Sequence, residues 1–126
     1  MRRLHPERIE QAHIVQLLRT IGGTVYVLGT TRRRGDHPGT MQSPGLPDLV
    51  AFLPSCPSVL FIEVKVPGGR MSAEQREFMR LCGTTTAVHL TGTLDSVIAW
   101  CVDQGYLRAE HLPHYRVSAP ASETKA

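Results

Sequence analysis

Cysteines, aromatic residues and long apolar runs are all scarce in this chain, and each shortage argues against a class of protein. The 126 residues include three cysteines, Cys56, Cys82 and Cys101. The number is odd and no CxxC pair occurs, so neither a disulfide framework nor a zinc ribbon is indicated. Each lies in or beside an apolar run and reads as a small core residue, which fits a reducing cytoplasm. No apolar run approaches the ~18 residues that a membrane span needs. The N-terminal MRRLHPERIEQ is charged and has no apolar segment of the kind a signal peptide carries. Aromatic residues make up 6% of the chain, so the core should rest on Val, Ile and Leu.

A hydrophobic fraction of 41% is enough for a real core, and the length suits one domain. We place that domain at residues 1–110, with 111–126 as a partly disordered C-terminal tail. The tail ends in SAPASETKA, which is small and polar. The net charge of +3 is small but unevenly spread. Residues 1–34 hold seven arginines against Glu7 and Glu10, whereas the rest holds seven basic and nine acidic residues. A basic front fits a polyanionic partner, although a charge this small also occurs in proteins without one.

Hydrophobic periodicity organises the chain. Ile14, Leu17, Leu18 and Ile21 recur at helical spacing over 6–21, with Pro6 in the first turn and Gly22-Gly23 as the stop. TVYVLG (24–29) reads as a strand. Residues 30–45 form a long loop rich in turn formers. LPDLVAFL (46–53) and VLFIEVKV (59–66) read as strands joined in a hairpin by PSCPS. A helix follows over 73–82, opened by Ser72, then a strand TTAVHL (85–90). Thr93 should cap a last helix to about 104, with Leu94, Val97, Ile98 and Cys101 facing inward. The order α-β-β-β-α-β-α describes an α/β domain, a mixed sheet flanked by helices.

The third strand carries the sharpest chemical signal. Alternation puts Phe61, Glu63 and Lys65 on one face of a strand that otherwise reads as buried. Buried charge needs compensation by mutual pairing, a metal ion or water in a cleft. An exposed Glu/Lys pair on a strand face would be the plain alternative. Asp48 shares a face with Val50 and Phe52, so pairing of the second and third strands can bring it beside Glu63. Two carboxylates and a backbone carbonyl, with Val64 well placed, make an all-oxygen set suited to Mg²⁺. Alternatively, Asp48 is a turn residue after Pro47.

Four further features have two readings each. Glu10 lies on the apolar stripe of the first helix and either interacts with the helix dipole or points into a site. Gln75 either closes a capping box with Ser72 or faces inward beside Phe78, Met79 and Cys82. Arg32, Arg33 and Arg34 are either a phosphate clamp or a solvated loop. His111 and His114 could suggest a metal pair, but Pro113 and the lack of a Cys partner favour a surface position.

GLPDLVAF, FIEVKVPGG and SAEQREF, taken in this order after an early helical glutamate, resemble the PD-(D/E)XK nucleases. They are most similar to the VRR-NUC (virus-type replication-repair nuclease) branch, over about Glu10 to Trp100. The resemblance implies a restriction-endonuclease-like α-β-β-β-α-β core. It implies that Asp48 and Glu63 hold one or two Mg²⁺ or Mn²⁺ ions, with Glu10 completing the shell and Gln75 supporting it. Lys65 would orient the attacking water or stabilise phosphate charge, and Arg70 would join Arg32–Arg34 on DNA. The activity implied is phosphodiester hydrolysis leaving a 5′-phosphate, selective for branched DNA such as Holliday junctions. The protein would act as a homodimer in replication, repair or recombination, in the cytoplasm of a bacterial or phage-infected cell. A non-catalytic nucleic-acid-binding module on the same fold is the alternative.

Overall fold

A computed structural model describes residues 5–28, 43–108 and 110. The elements are α1 (Pro6–Thr20), β1 (Thr24–Val27), β2 (Leu49–Phe52), β3 (Leu60–Val64), α2 (Ala73–Cys82), β4 (Val88–Gly92) and α3 (Leu94–Asp103). The expected order is present, and the sheet is mixed. Its strands run β1-β2-β3-β4, antiparallel across the first two pairs and parallel between β3 and β4. The tail from 111, with His111 and His114, and the arginines 32–34 lie outside the described residues.

One face of the sheet carries the core. Alternation sends Leu49, Ala51, Leu60, Ile62 and Val64 to the same side, where they join Ile14, Leu17 and Leu18 of α1 and Val97, Ile98 and Cys101 of α3 in one buried cluster. The apolar stripes read from helical spacing are the surfaces buried here. Past α3 the chain stays ordered longer than its fading periodicity suggests. Leu107 is buried, Tyr106 stacks on Trp100 at 5.6 Å, and both backbone N–H groups donate to Cys101 O.

Two strand starts shift by three residues from expectation, each for a local reason, and one expected cap is not made by its side chain. β2 begins at Leu49 instead of 46, because Pro47 has no N–H to give to a ladder. Pairing nonetheless reaches Asp48, whose N–H donates to Ile62 O at 3.1 Å and whose carbonyl accepts from Leu28 N–H at 2.7 Å. β4 begins at Val88 instead of 85, because the hydroxyls of Thr84 and Thr85 turn back to donate to Leu81 O and Cys82 O at the end of α2. Thr93 is the N-cap of α3, but its side chain makes no capping bond.

The first N–H of α3, on Leu94, donates to Glu10 Oε1 at 2.8 Å. A carboxylate from α1 therefore caps α3 and ties the two helices of the core face together. Glu10→Ala should lower stability by about 1 kcal/mol, the usual cost of a lost cap, and Glu10→Gln should recover most of it. Thermal melts of the two variants test this, and equal melting temperatures would remove the capping role.

Candidate active site

Asp48 and Glu63 meet on the sheet face opposite the core. Leu49 pairs with Ile62, so the next residues outward, Asp48 and Glu63, are neighbours across the hairpin. Asp48 Oδ2 accepts from Val64 N–H at 2.7 Å, which turns the carboxylate toward β3. The Asp48 carboxylate lies near enough to Glu63 to disfavour its charge. Glu63 is 3% exposed and is the buried charged residue of the described chain. Lys65 Nζ lies 3.5 Å from Glu63 Oε2, with its side chain 18% exposed.

Gln75 fills both of its expected roles at once. Its Oε1 accepts from Ser72 N–H at 2.8 Å, and Ser72 Oγ accepts from Gln75 N–H at 3.0 Å, which completes the capping box of α2. Its Nε2 donates to Glu63 Oε2 at 2.8 Å. One planar amide thus closes the first turn of α2 and orients the glutamate. Glu63 Oε2 faces two donors, Gln75 and Lys65.

The GLPD turn is fitted against the same helix start. Gly45 has φ +95°, and a Cβ there would lie 2.6 Å from Glu74 O. Only glycine tolerates both the left-handed backbone and that approach. Gly45→Ala should cost at least about 2 kcal/mol, from the left-handed strain plus overpacking, and should push Asp48 out of line. Urea melts with a parallel activity measurement would check it; a native-like midpoint would show that the turn is not fixed by α2.

Two comparisons with known proteins find a similar domain. Residues 40–91 match the model of the VRR-NUC domain family. That span includes Asp48, Glu63, Lys65 and Gln75. A solved structure described as a "VRR_NUC domain" superposes with a TM-score of 0.57 at 24% identity, covering 82% of this chain and 100% of the other. Residues 40–91 are similar to the VRR-NUC domain, and the chain shares its fold. No curated protein matches it. The VRR-NUC family is a nuclease family.

The site is richer in negative charge than the motifs alone suggest. Burial, then the neighbouring Asp48, push the Glu63 carboxyl from its usual range to about 7, against the opposing pull of Lys65. Asp48 is also raised, by burial and by Glu7, with the Val64 N–H opposing. Glu7 is the residue that the sequence reading passed over. Both carboxyls feel its charge, and its Oε2 and the Lys65 Cδ flank the same point beside Gly69, 3.6 and 3.4 Å from where a Cβ would stand. Glu7 and Glu10 lie one turn apart on one stripe, continuing from Ile14 and Leu17. The stripe was therefore legible, but its first turn reaches the site while its second reaches α3.

The remaining expected residues are more scattered. Glu10 is held on the α3 start and is not joined to Asp48 and Glu63. Arg70 is exposed in the loop between β3 and α2. Thr91, opposite Glu63 in the parallel register, lies on the same face, and its hydroxyl is 3.3 Å from His89 Nδ1. No motif flagged Thr91, because only strand pairing brings it there.

Proposed function

We propose that this protein is a metal-dependent nuclease that hydrolyses phosphodiester bonds in DNA, with Asp48, Glu63 and Lys65 at its centre. The observation that carries this reading is the meeting of two carboxyls and one ammonium, from two neighbouring strands, on one face of the sheet. Burying such a group is costly unless something compensates, and the lysine alone leaves Glu63 raised to about 7. A divalent cation between the carboxylates would supply the missing positive charge.

The donor set fits Mg²⁺ or Mn²⁺. Among the described residues no group of three or more His, Cys, Asp or Glu side chains is arranged to hold a metal ion. Mg²⁺ does not need such a cage, because it keeps several waters and binds through one or two carboxylates. Asp48, Glu63 and the Val64 carbonyl would hold it, with water in the remaining positions and the charge of Glu7 adding to the field of the two carboxylates. When bound, the ion supplies Lewis acidity toward the phosphate and lowers the pKa of water. Nucleases of this family generally use divalent metals.

The protein's own groups have separable tasks. Lys65, paired to Glu63, presents a compact positive charge to the phosphate as negative charge develops on it. Gln75 holds Glu63 in one rotamer through a donor that α2 itself fixes. Arg70 and Arg32–Arg34 would meet the DNA backbone and set position, not sequence. Selectivity for branched DNA, cleavage leaving a 5′-phosphate and a homodimeric form are parts of the same proposal. No helix of the described residues is long and apolar enough to cross a membrane.

A cleavage panel tests the proposal directly. Single-strand, duplex, flap and four-way-junction DNA are incubated with Mg²⁺, Mn²⁺ or EDTA. We expect cutting in either metal and none in EDTA, with a branched form cut fastest. Salt-sensitive binding without cleavage of any form would leave a non-catalytic nucleic-acid-binding module instead.

A further inference from the structure

The sheet face that carries Asp48 and Glu63 is unevenly covered. Over β3 and β4, Phe78 of α2 packs edge-on against Phe61 at 5.0 Å and lies 6.1 Å from His89. Over β1 and β2, among the described residues, two aromatic rings stand open. Tyr26 is 56% exposed and Phe52 51%, and they touch in a T-shaped pair with centroids 6.4 Å apart.

Strand register ties these rings to the site. Tyr26, Val50 and Phe61 form one row across the sheet, and Thr24 and Phe52 belong to the next row away from the site. On the other side of the Tyr26 row comes the row of Asp48 and Glu63. Same-face rows are two residues apart, about 7 Å. The rings therefore stand roughly one and two rows, about 7 and 14 Å, from the carboxylates along the strands. That spacing is about twice the ~3.4 Å per nucleotide of a stacked strand, as an unstacked strand would require.

We propose that Tyr26 and Phe52 form a stacking platform for unpaired nucleobases next to the bond to be cut. The proposal rests on the nuclease reading and narrows its substrate to DNA with a single-stranded stretch at the site. Two features favour bases over other occupants. β1 and β2 carry no charged side chain between Thr24 and Val27 or between Leu49 and Phe52, so the platform meets the flat faces of bases and not phosphates. The area is also small. Two half-exposed aromatic side chains offer on the order of 200 Å², far below the ~800 Å² per partner of a stable protein interface. A base needs only a ring face, and any base has one to offer.

The test uses the full chain with Asp48→Asn, so that DNA is bound and not cut. Binding of a labelled single strand, a fork with one unpaired arm, and a blunt duplex is followed by anisotropy. Tyr26→Ala and Phe52→Ala should each weaken single-strand and fork binding by about five- to a hundredfold, with much less effect on duplex. Met79→Ala and Leu81→Ala, exposed apolar residues on α2, should change neither. Tyr26→Trp in a Trp100→Phe background, which removes the one native tryptophan, should keep affinity. Its fluorescence should be quenched by a single strand but not by one with abasic sites opposite the platform. Unchanged single-strand affinity in both alanine variants would overturn the platform, as would equal weakening of duplex. So would loss of a dimer by those variants in ultracentrifugation, which would give the face to a second copy. If the chain bearing Asp48→Asn binds no DNA form, and the wild type cuts none, the nuclease reading falls as well. If the wild type cuts while the aromatic variants bind normally, only the platform falls.

Discussion

Asp48→Asn and Glu63→Gln should each lower Mg²⁺-dependent cleavage by at least about a hundred- to a thousandfold, the usual effect of removing a group that acts on transition-state charge. Lys65→Ala should fall in the same range, while Lys65→Arg, which keeps a positive charge on a bulkier head, should lose less. Gln75 makes the sharper comparison because its two roles separate by chemistry. Gln75→Glu keeps an acceptor for Ser72 N–H, so the capping box survives and α2 should melt normally. It cannot donate to Glu63, and it adds a carboxylate beside two others. We expect a loss of about ten- to a hundredfold in cleavage, as for other residues that orient a metal ligand. Gln75→Ala should lose activity and about 1 kcal/mol of stability together. The measurement is single-turnover cleavage beside circular-dichroism melts. Full activity in Asp48→Asn or Glu63→Gln would sink the assigned centre, and full activity in Gln75→Glu would remove only the orienting role.

The elements and the meeting of Asp48, Glu63 and Lys65 on one face were legible in the sequence because both rest on short-range periodicity. Alternation in FIEVKV gave the shared face of Glu63 and Lys65, and the same rule in PDLVAF gave Asp48 its side. The hairpin then needed only its register, which the buried Leu49 and Ile62 pairing supplies. What periodicity cannot report is how far along its axis a helix sits relative to the sheet. Glu7 and Glu10 share one stripe, and a shift of one turn, about 5 Å, decides which of them faces the carboxylates. The structure puts Glu7 there and uses Glu10 to cap α3, a pairing across 84 residues that no local pattern encodes. Thr91 was hidden for a related reason: a parallel crossover, not a turn, sets its neighbour. The exposure of Tyr26 and Phe52 was equally out of reach, since alternation says which face a residue takes and not whether α2 extends over it.

In metal-free buffer, Glu63→Gln should make the protein more stable at neutral pH while abolishing its chemistry. The sign follows from the raised carboxyl. Glu63 titrates near 7 in the fold against 4.5 in an unfolded chain, so the folded state holds the proton more tightly. This group's contribution is therefore fully present below pH 4.5, is lost as pH rises through about 7, and is level above that. A shift of this size corresponds to about 3 kcal/mol. The Glu63→Gln variant carries no such titration, can still accept from Gln75, and leaves Lys65 to face Asp48. Its urea midpoint in EDTA should exceed the wild type's above pH 7 by an amount equivalent to about 1–3 kcal/mol, and the gap should close toward pH 4.5. Adding Mg²⁺ should then raise the wild type, because an ion that binds only the folded state stabilises it by mass action, and should leave Glu63→Gln nearly unchanged. Stability would thus be traded for a site that is costly until a cation enters it, as expected where like charges are gathered for function. A wild-type curve flat from pH 4.5 to 8 in EDTA, or a variant less stable than the wild type there, would mean that Glu63 is not held as an excess negative charge. The electrostatic case for a cation at this centre would go with it.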